Sequence, residues 1–324
     1  MPNYFERFKN RFINNTGFDD HIGDVGDRIL SKNGKGNVRK RGFHRLKHLS
    51  IFHTLIDLNI WLFWLVCFAG FLLVNLFFGA IYYLLGAEYL LIPSSLSAVN
   101  QFMECFYFSC QTLTAVGYGR IAPANNLLGA ISAFQAFFGL MSFAVITGLL
   151  YARFSKPRAF LQFSDQAVIR PFQEGKAMMF RMATYKNNDL TDVNCQVIAA
   201  FAQTKNGVTS NRFIPLRLEI DTIQELVLNW TVVHIIDESS PFYNLNEKEI
   251  NNAKVELIVL VKGYDEYFST YVQERTSYTY EEILYNVQFV KMFRRDQNEK
   301  KTLLELDKLS EVEPIKGRRI FSKD

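Results

Sequence analysis

Two stretches of this chain carry no charged side chain, Leu58 to Leu85 and Leu127 to Tyr151. Each exceeds the ~20 apolar residues that cross a bilayer as a helix. In hydrocarbon the backbone must satisfy its own hydrogen bonds, which restricts a span to a helix or a closed barrel strand. Almost everything after Pro157 is polar enough for water, so the pattern predicts two membrane-spanning helices followed by a soluble domain. Composition agrees: 49% of the 324 residues are hydrophobic and 15% aromatic, with 30 phenylalanines, a bias toward membrane chains.

Charge placement orients the spans. Arg39, Lys40, Arg41, Arg45 and Lys47 precede the first, and Arg153, Lys156 and Arg158 follow the second. Between Gly86 and Asn126 the single basic residue is Arg120. Positive charge collects on the cytoplasmic side, so the expectation is a multi-pass cell-membrane protein with both termini cytoplasmic. The net charge is only +4, and no basic domain surrounds these clusters; a nucleic-acid partner is not expected. Of Cys67, Cys105, Cys110 and Cys195, none follows Cys110 in the outer linker to pair with it, so no disulfide framework is expected. The opening "MPNYFERFKN" has no apolar signal-peptide core, which leaves targeting to the first span.

Between the spans, Ala98 to Thr112 reads as a helix too short to cross, and it runs into "TLTAVGYGR". Irregular backbone at membrane depth is tolerated only inside protein or beside a watery cavity. The stretch is one letter from the threonine-valine-glycine-tyrosine-glycine loop whose backbone carbonyls replace the hydration shell of potassium. Ala115, Val116, Gly117, Tyr118 and Gly119 are the candidate selectivity filter, with potassium held by the carbonyls of Val116, Gly117 and Tyr118. One chain supplies one strand of a carbonyl ring, so a homotetramer is required. Potassium is the permeant ion; no cofactor, catalytic set or enzyme activity is expected. Tyr118 is expected to brace the strand against pore-helix aromatics such as Phe106, Tyr107 or Phe108. Ala115 replaces the threonine whose hydroxyl closes the innermost site. That leaves two readings: a potassium-selective pore with a weakened inner site, or a poorly selective two-span cation channel.

The second span is expected to line the inner cavity. Phe143, Thr147 and Tyr151 recur every four residues as a pore-facing stripe, Gly139 and Gly148 offer hinges or close packing, and Gln135 should face protein or water. No span carries an arginine array, so steep voltage sensing is not expected. Residues 43 to 57 place Leu46, Leu49, Phe52 and Ile56 on one helical face and Arg45, His48 and His53 toward the other, as in a helix lying in the membrane interface. His44, His48 and His53 at i, i+4, i+9 suggest a metal-bearing, membrane-anchored enzyme less well than interfacial histidines, because only the first pair shares a face. Beyond Pro157, "AFLQFS", "AVIRPF", "AMMFRMATY", "VNCQVIAAFA", "FIPLRLEI", "ELVLNWTVVHIID", "VELIVLVKG" and "TYVQERTSY" read as short strands of a β-sandwich. A dinucleotide-binding domain would need a glycine-rich strand-to-helix turn, and the tail has none.

At this level of detail the chain resembles the inward-rectifier potassium channels, particularly the prokaryotic branch. The resemblance rests on "DRILSKNGKGNV", "NLFFG", "TGLLYARFSKP", "FSDQAVIRPFQEGKAMMFRMA" and "HIIDESSPFY" and runs in order from about Asp27 to about Val290. It implies a membrane α-helical pore (two transmembrane helices plus a re-entrant pore helix and filter) followed by an all-β immunoglobulin-like cytoplasmic sandwich. The divisions are an N-terminal cytoplasmic segment at 1–42, a slide helix at 43–57, the pore at 58–157 and the gating sandwich at 158–324. Phe143 and Tyr151 match positions near the inner bundle crossing, and Glu266 matches a pore-facing acid of the sandwich. Arg153, Lys156 and Arg158 match basic positions of a lipid site, whereas Asn59 and Trp61 stand where eukaryotic members carry phosphoinositide-binding arginines. Contact with anionic lipid is thus implied without phosphoinositide specificity. Phe143 stands where strong rectifiers carry an acid, so weak polyamine rectification is expected. Gln111 replaces a common pore-helix glutamate, which would leave Arg120 without that partner.

Overall fold

The computed structural model describes residues 28–37, 51–90, 92, 95–186, 189–205, 208–296 and 301–315. Most of the expected interfacial helix, including His44 and His48, lies outside the described residues. Residues 41–156 form one compact unit, and residues 157–324 with the N-terminal segment form another.

The first unit is helical: α1 (Ile51–Asp57), α2 (Ile60–Gly86), a 3-10 turn (Ala87–Leu90), α3 (Ala98–Leu113) and α4 (Asn126–Phe154). α1 and α2 are separate because Asn59 stands at the break, where its side chain accepts the backbone N–H of Trp61 and starts the next helix. The extended helix Ile60–Leu90 and α4 are long and apolar enough to cross a membrane, and most of their surface is uncovered in the single chain. A core helix of a soluble protein would be mostly buried; these two present their apolar surface outward. Much of what they bury lies toward α3, where Phe78, Tyr82, Leu90, Cys105, Phe108 and Leu128 form one cluster. Close approach of α2 to α3 depends on Gly79, where a Cβ would stand 3.1 Å from the Phe106 Cα.

The second unit is a two-sheet sandwich. One five-stranded sheet contains β1 (Leu161–Phe163), β2 (Ala167–Phe172), β3 (Gly175–Thr184), β7 (Asn229–Ile236) and β10 (Ile283–Tyr285). The other contains β4 (Leu190–Lys205), β5 (Val208–Leu216), β6 (Thr222–Leu226), β8 (Glu256–Asp265) and β9 (Thr270–Thr279). Alternate residues point into the shared core: Met178, Phe180 and Met182 from β3, Cys195, Val197, Ala199 and Phe201 from β4, Leu257, Val259 and Val261 from β8. This is the period of two that made these segments readable as strands. A six-residue helix α5 (Glu247–Asn252), capped by a reciprocal Asn246–Glu249 box, buries Ile250 in the same core. The short strands β11 (Val287–Phe289), β12 (Phe293–Arg295), β13 (Thr302–Leu304) and β14 (Val312–Pro314) pair as β11 with β14 and β12 with β13.

The segment "ELVLNWTVVHIID" reads as one strand but forms two. β6 pairs with β4 in one sheet and β7 with β3 in the other. The chain crosses between sheets at Val227 and Leu228, both exposed. Within β7, His234 is buried and neutral: Nδ1 donates to the Arg217 carbonyl at 2.7 Å and Nε2 accepts the Ser240 hydroxyl at 2.8 Å. Burial pushes its pKa down.

Residues Arg28–Asn37 close on themselves through a Leu30–Gly36 bridge and dock on this unit as a hook. The Glu256 carboxylate, almost fully buried, accepts the Ile29 and Leu30 amides at 2.7 and 3.0 Å. Arg28 donates to the Ser277 carbonyl at 2.7 Å and pairs with Glu282 at 3.1 Å. Lys32 stands 3.8 Å over the Tyr278 ring, and burial holds its ammonium down to about 8. Leu30 closes the apolar contact with Ala200, Phe213 and Ile258.

Candidate ion-conduction site

α3 begins at Ser97, whose hydroxyl caps the Asn100 amide, and ends at Thr114, whose amide and hydroxyl both return to the Cys110 carbonyl. Directly after this stop the backbone alternates in hand. Ala115, Gly117 and Gly119 have φ of 55°, 56° and 80°, while Val116 and Tyr118 between them do not enter the left-handed region. Alternating left- and right-handed residues turn successive carbonyls toward the same side, which neither helix nor strand does. Glycine adopts this hand freely; alanine bears a modest cost and a β-branched residue a larger one. The first two amides of the stretch are tied back to the helix, Ala115 N–H to the Thr112 carbonyl at 3.1 Å and Val116 N–H to the Gln111 carbonyl at 3.0 Å. The rest of the loop is open: Tyr118 is 78% exposed in the single chain. Phe108 packs edge-on against Tyr82 at 5.0 Å and Phe106 against Tyr107 at 5.9 Å. Among the described residues of the single chain, none of these aromatics forms a ring contact with Tyr118.

Arg120 is not left without an acidic partner. It forms an ion pair with Glu104, almost two turns earlier on α3 than Gln111. Sequence reading looked for the acid at a family position and missed it. The available signal was that Glu104 is the single charged residue in the pore-helix segment.

Behind the loop, α2, α3 and α4 meet at four buried polar side chains. Tyr82 donates its hydroxyl to Gln135 Oε1 at 2.7 Å. Gln135 Nε2 donates to the Ser109 carbonyl at 3.0 Å and Oγ at 2.7 Å. Ser109 donates to Asn75 Oδ1 at 2.9 Å, and Asn75 Nδ2 to the Phe71 carbonyl at 2.8 Å. All four side chains are fully buried. Gln135 faces protein, one of the two surroundings expected for it; its partners Tyr82 and Ser109 are not signalled by the sequence.

One turn further along α4, Gly139 meets the last residue of α3. A Cβ at Gly139 would overlap the Leu113 carbonyl oxygen and stand 2.8 Å from its carbon. α4 runs unbroken through Gly139 and Gly148; the first is a close-approach position, and the second has open space around it. Phe143, Thr147 and Tyr151 are all exposed along α4 in the single chain, Phe143 and Tyr151 by 73% and 74%.

The basic residues after the second span separate by role. Arg153 is half-buried, donates to the carbonyls of Ile56 (3.2 Å) and Leu58, and lies over the Phe63 ring. These carbonyls at and just past the end of α1 lack intrahelical partners, so a guanidinium there satisfies them and faces the negative helix end. Lys156 is exposed and pairs with Asp57 at 2.9 Å. Arg158 is exposed and belongs to the other compact unit. Glu266 is exposed in the tight turn between β8 and β9, where its carbonyl accepts the Ser269 amide at 3.3 Å. Among the described residues no group of His, Cys, Asp or Glu could hold a metal ion.

Comparison with known proteins follows the two units. Residues 161–322, half of the chain, match the inward rectifier potassium channel C-terminal domain, and residues 70–156 match an ion channel family. The chain is 28% identical over 268 residues to the inward rectifier potassium channel Kirbac3.1 of Paramagnetospirillum magnetotacticum, covering 82% of this chain and 89% of that one. It is 29% identical over 289 residues to the G protein-activated inward rectifier potassium channel 1 of Bos taurus and of Homo sapiens. Those matches cover 81% of this chain and 56% of each relative, so the chain spans little more than half the length of the two mammalian proteins.

Proposed function

The chain belongs to the inward rectifier potassium channel family, a family of ion channels and not of enzymes, and on that premise we propose that four copies form a potassium-selective pore gated by the cytoplasmic sandwich. The observation that carries the reading is the alternating hand at Ala115, Gly117 and Gly119 immediately beyond the pore-helix stop. In this reading both termini are cytoplasmic, residues 58–157 are the pore and 158–324 the gating domain, with 43–57 as the interfacial helix. Phe143, Thr147 and Tyr151 line the inner pathway, and Glu266 faces it in the cytoplasmic part. Closed cyclic symmetry is the usual solution for identical subunits, and the exposed Tyr118, Val116 and α4 stripe supply uncovered surface for it.

Purified protein in liposomes should pass potassium well ahead of sodium and run as a tetramer by native mass spectrometry. A conducting monomer or dimer would remove the pore reading. Cytoplasmic spermine should block only mildly, because Phe143 offers the cavity no charge and Glu266 acts through water in which fields fade over about 8 Å. Steep voltage-dependent block in the unmodified channel would contradict this.

A specific observation keeps a second reading, the poorly selective cation channel: Ala115 brings no hydroxyl to the innermost site. Selectivity arises from several carbonyl sites in series, and those of Val116, Gly117 and Tyr118 do not depend on that hydroxyl. Ala115→Thr should raise barium sensitivity by roughly tenfold, about 1.4 kcal/mol, with little change in the potassium-to-sodium ratio. The gain is limited because threonine is strained at a φ of 55°. If the parent passes sodium nearly as well as potassium and Ala115→Thr restores discrimination, the second reading replaces the first.

Anionic headgroups are attracted to basic residues at the membrane surface by about 1 kcal/mol each. Within the proposed lipid set of Arg153, Lys156 and Arg158, the exposed Lys156 and Arg158 are the accessible pair. Neutralising both should reduce the flux gained on adding anionic lipid; an unchanged gain would assign them to membrane orientation alone.

A further inference from the structure

We propose that Gln135 is a positioning residue for the filter, holding the pore helix at the register in which Ala115 to Gly119 present their carbonyls. This rests on the potassium-pore reading above and adds how the second span sets filter geometry. Gln135 and Gly139 on α4 meet Ser109 and Leu113 on α3, four residues apart on both helices. The two helices are thus fastened along the last turns before the filter, once by hydrogen bonds and once by backbone contact. From there the tie continues without a gap, because the Gln111 and Thr112 carbonyls, between the two fastening points, hold the Val116 and Ala115 amides.

The hydrogen bonds run in one direction. Each donor in the series Tyr82, Gln135, Ser109, Asn75 has an acceptor on the next group, and the series ends on the Phe71 carbonyl. Gln135, the one member that α4 contributes, accepts from Tyr82 through Oε1 and donates to Ser109 through Nε2. A buried network satisfied throughout specifies one arrangement, whereas one missing member leaves several buried groups unpaired. Packing alone would be met by any side chain of the same volume. The amide is required only if polarity sets the register.

The test compares three variants reconstituted in liposomes beside the parent, reading the sodium-to-potassium permeability ratio and tetramer content together. Gln135→Met keeps the volume and removes both polar functions; its ratio should rise by roughly five- to tenfold in assembled tetramers. Gln135→Glu can replace the amide only when protonated, since the neutral acid donates to Ser109 and accepts from Tyr82 while the carboxylate cannot donate. Burial raises a carboxyl pKa by up to several units, so this variant should match the parent at pH 5.5 and move toward the methionine variant at pH 9.5. Tyr82→Phe removes one hydroxyl and should shift the ratio in the same direction, which covers the case of a methionine variant that does not assemble. A parental ratio in tetrameric Gln135→Met or in Tyr82→Phe would overturn the proposal, as would Gln135→Glu being equally impaired at pH 5.5 and 9.5. A parent that itself fails to discriminate potassium would remove the functional reading instead, so the two failures are distinct.

Discussion

Replacing Gly139 by valine should reduce potassium flux on the order of a hundredfold, while Gly148→Ala nine residues later leaves it within about twofold. A Cβ at Gly139 falls on the Leu113 carbonyl. That neighbour is backbone, so no rotamer change relieves the overlap. Either α4 or the end of α3 has to move, and the end of α3 leads directly into the proposed filter. Overpacking a fitted contact costs typically 1–3 kcal/mol, and 2.7 kcal/mol is a factor of about a hundred. Gly148 has no atom within 4 Å of the place a Cβ would take, and alanine is the better helix former by roughly 1 kcal/mol. Flux assays on tetramer-matched samples decide it. Parental conduction by Gly139→Val would mean that the contact does not control the pore, and a loss in Gly148→Ala as well would point to general intolerance of α4 rather than to this contact.

The second large effect is expected in the other compact unit. Glu256→Ala should release the N-terminal hook, with amide hydrogen exchange at Ile29 and Leu30 accelerating by roughly a hundredfold or more. The carboxylate accepts both amides in a nearly dry setting, and its removal leaves two donors unpaired beside a cavity. Each orphaned donor costs about 1–3 kcal/mol, and Arg28 and Lys32, partly exposed, recover little of it. Val261, in the same strand but inside the sandwich, should exchange as before. Glu256→Gln should fall between, since its amide oxygen can serve one of the two donors. Unchanged protection at Ile29 and Leu30 in Glu256→Ala would show that the apolar contact of Leu30 suffices to hold the hook.

The candidate site was legible in the sequence where the chemistry is local. A glycine-spaced loop after a short helix marked Ala115 to Gly119 as the candidate filter, and Gly117 and Gly119 take the left-handed region that glycine tolerates wherever the chain goes. Its supports were not legible. Glu104 and Arg120 are sixteen residues apart, and no local pattern says that the loop after α3 returns to pair with an earlier turn of that helix. Asn75, Tyr82, Ser109 and Gln135 come from three helices; each alone reads as a tolerated polar residue in an apolar run.

The fold divides the same way. Uncharged length alone determined the two spans, since hydrocarbon admits little else. A short apolar run bounded by turn residues determined strands such as β2, whose limits match "AVIRPF". Which sheet a strand joins is decided by its partner. "ELVLNWTVVHIID" alternates well enough to pass for one strand, yet β6 bonds to β4 and β7 to β3 in opposite layers. Likewise, the basic cluster after the second span was visible, but only packing against α1 turned Arg153 inward to the carbonyls of Ile56 and Leu58 while Lys156 stayed exposed. Periodicity and charge are properties of a segment, whereas a hydrogen-bond partner belongs to the assembled whole, and only the tertiary structure brings the two groups within 3 Å.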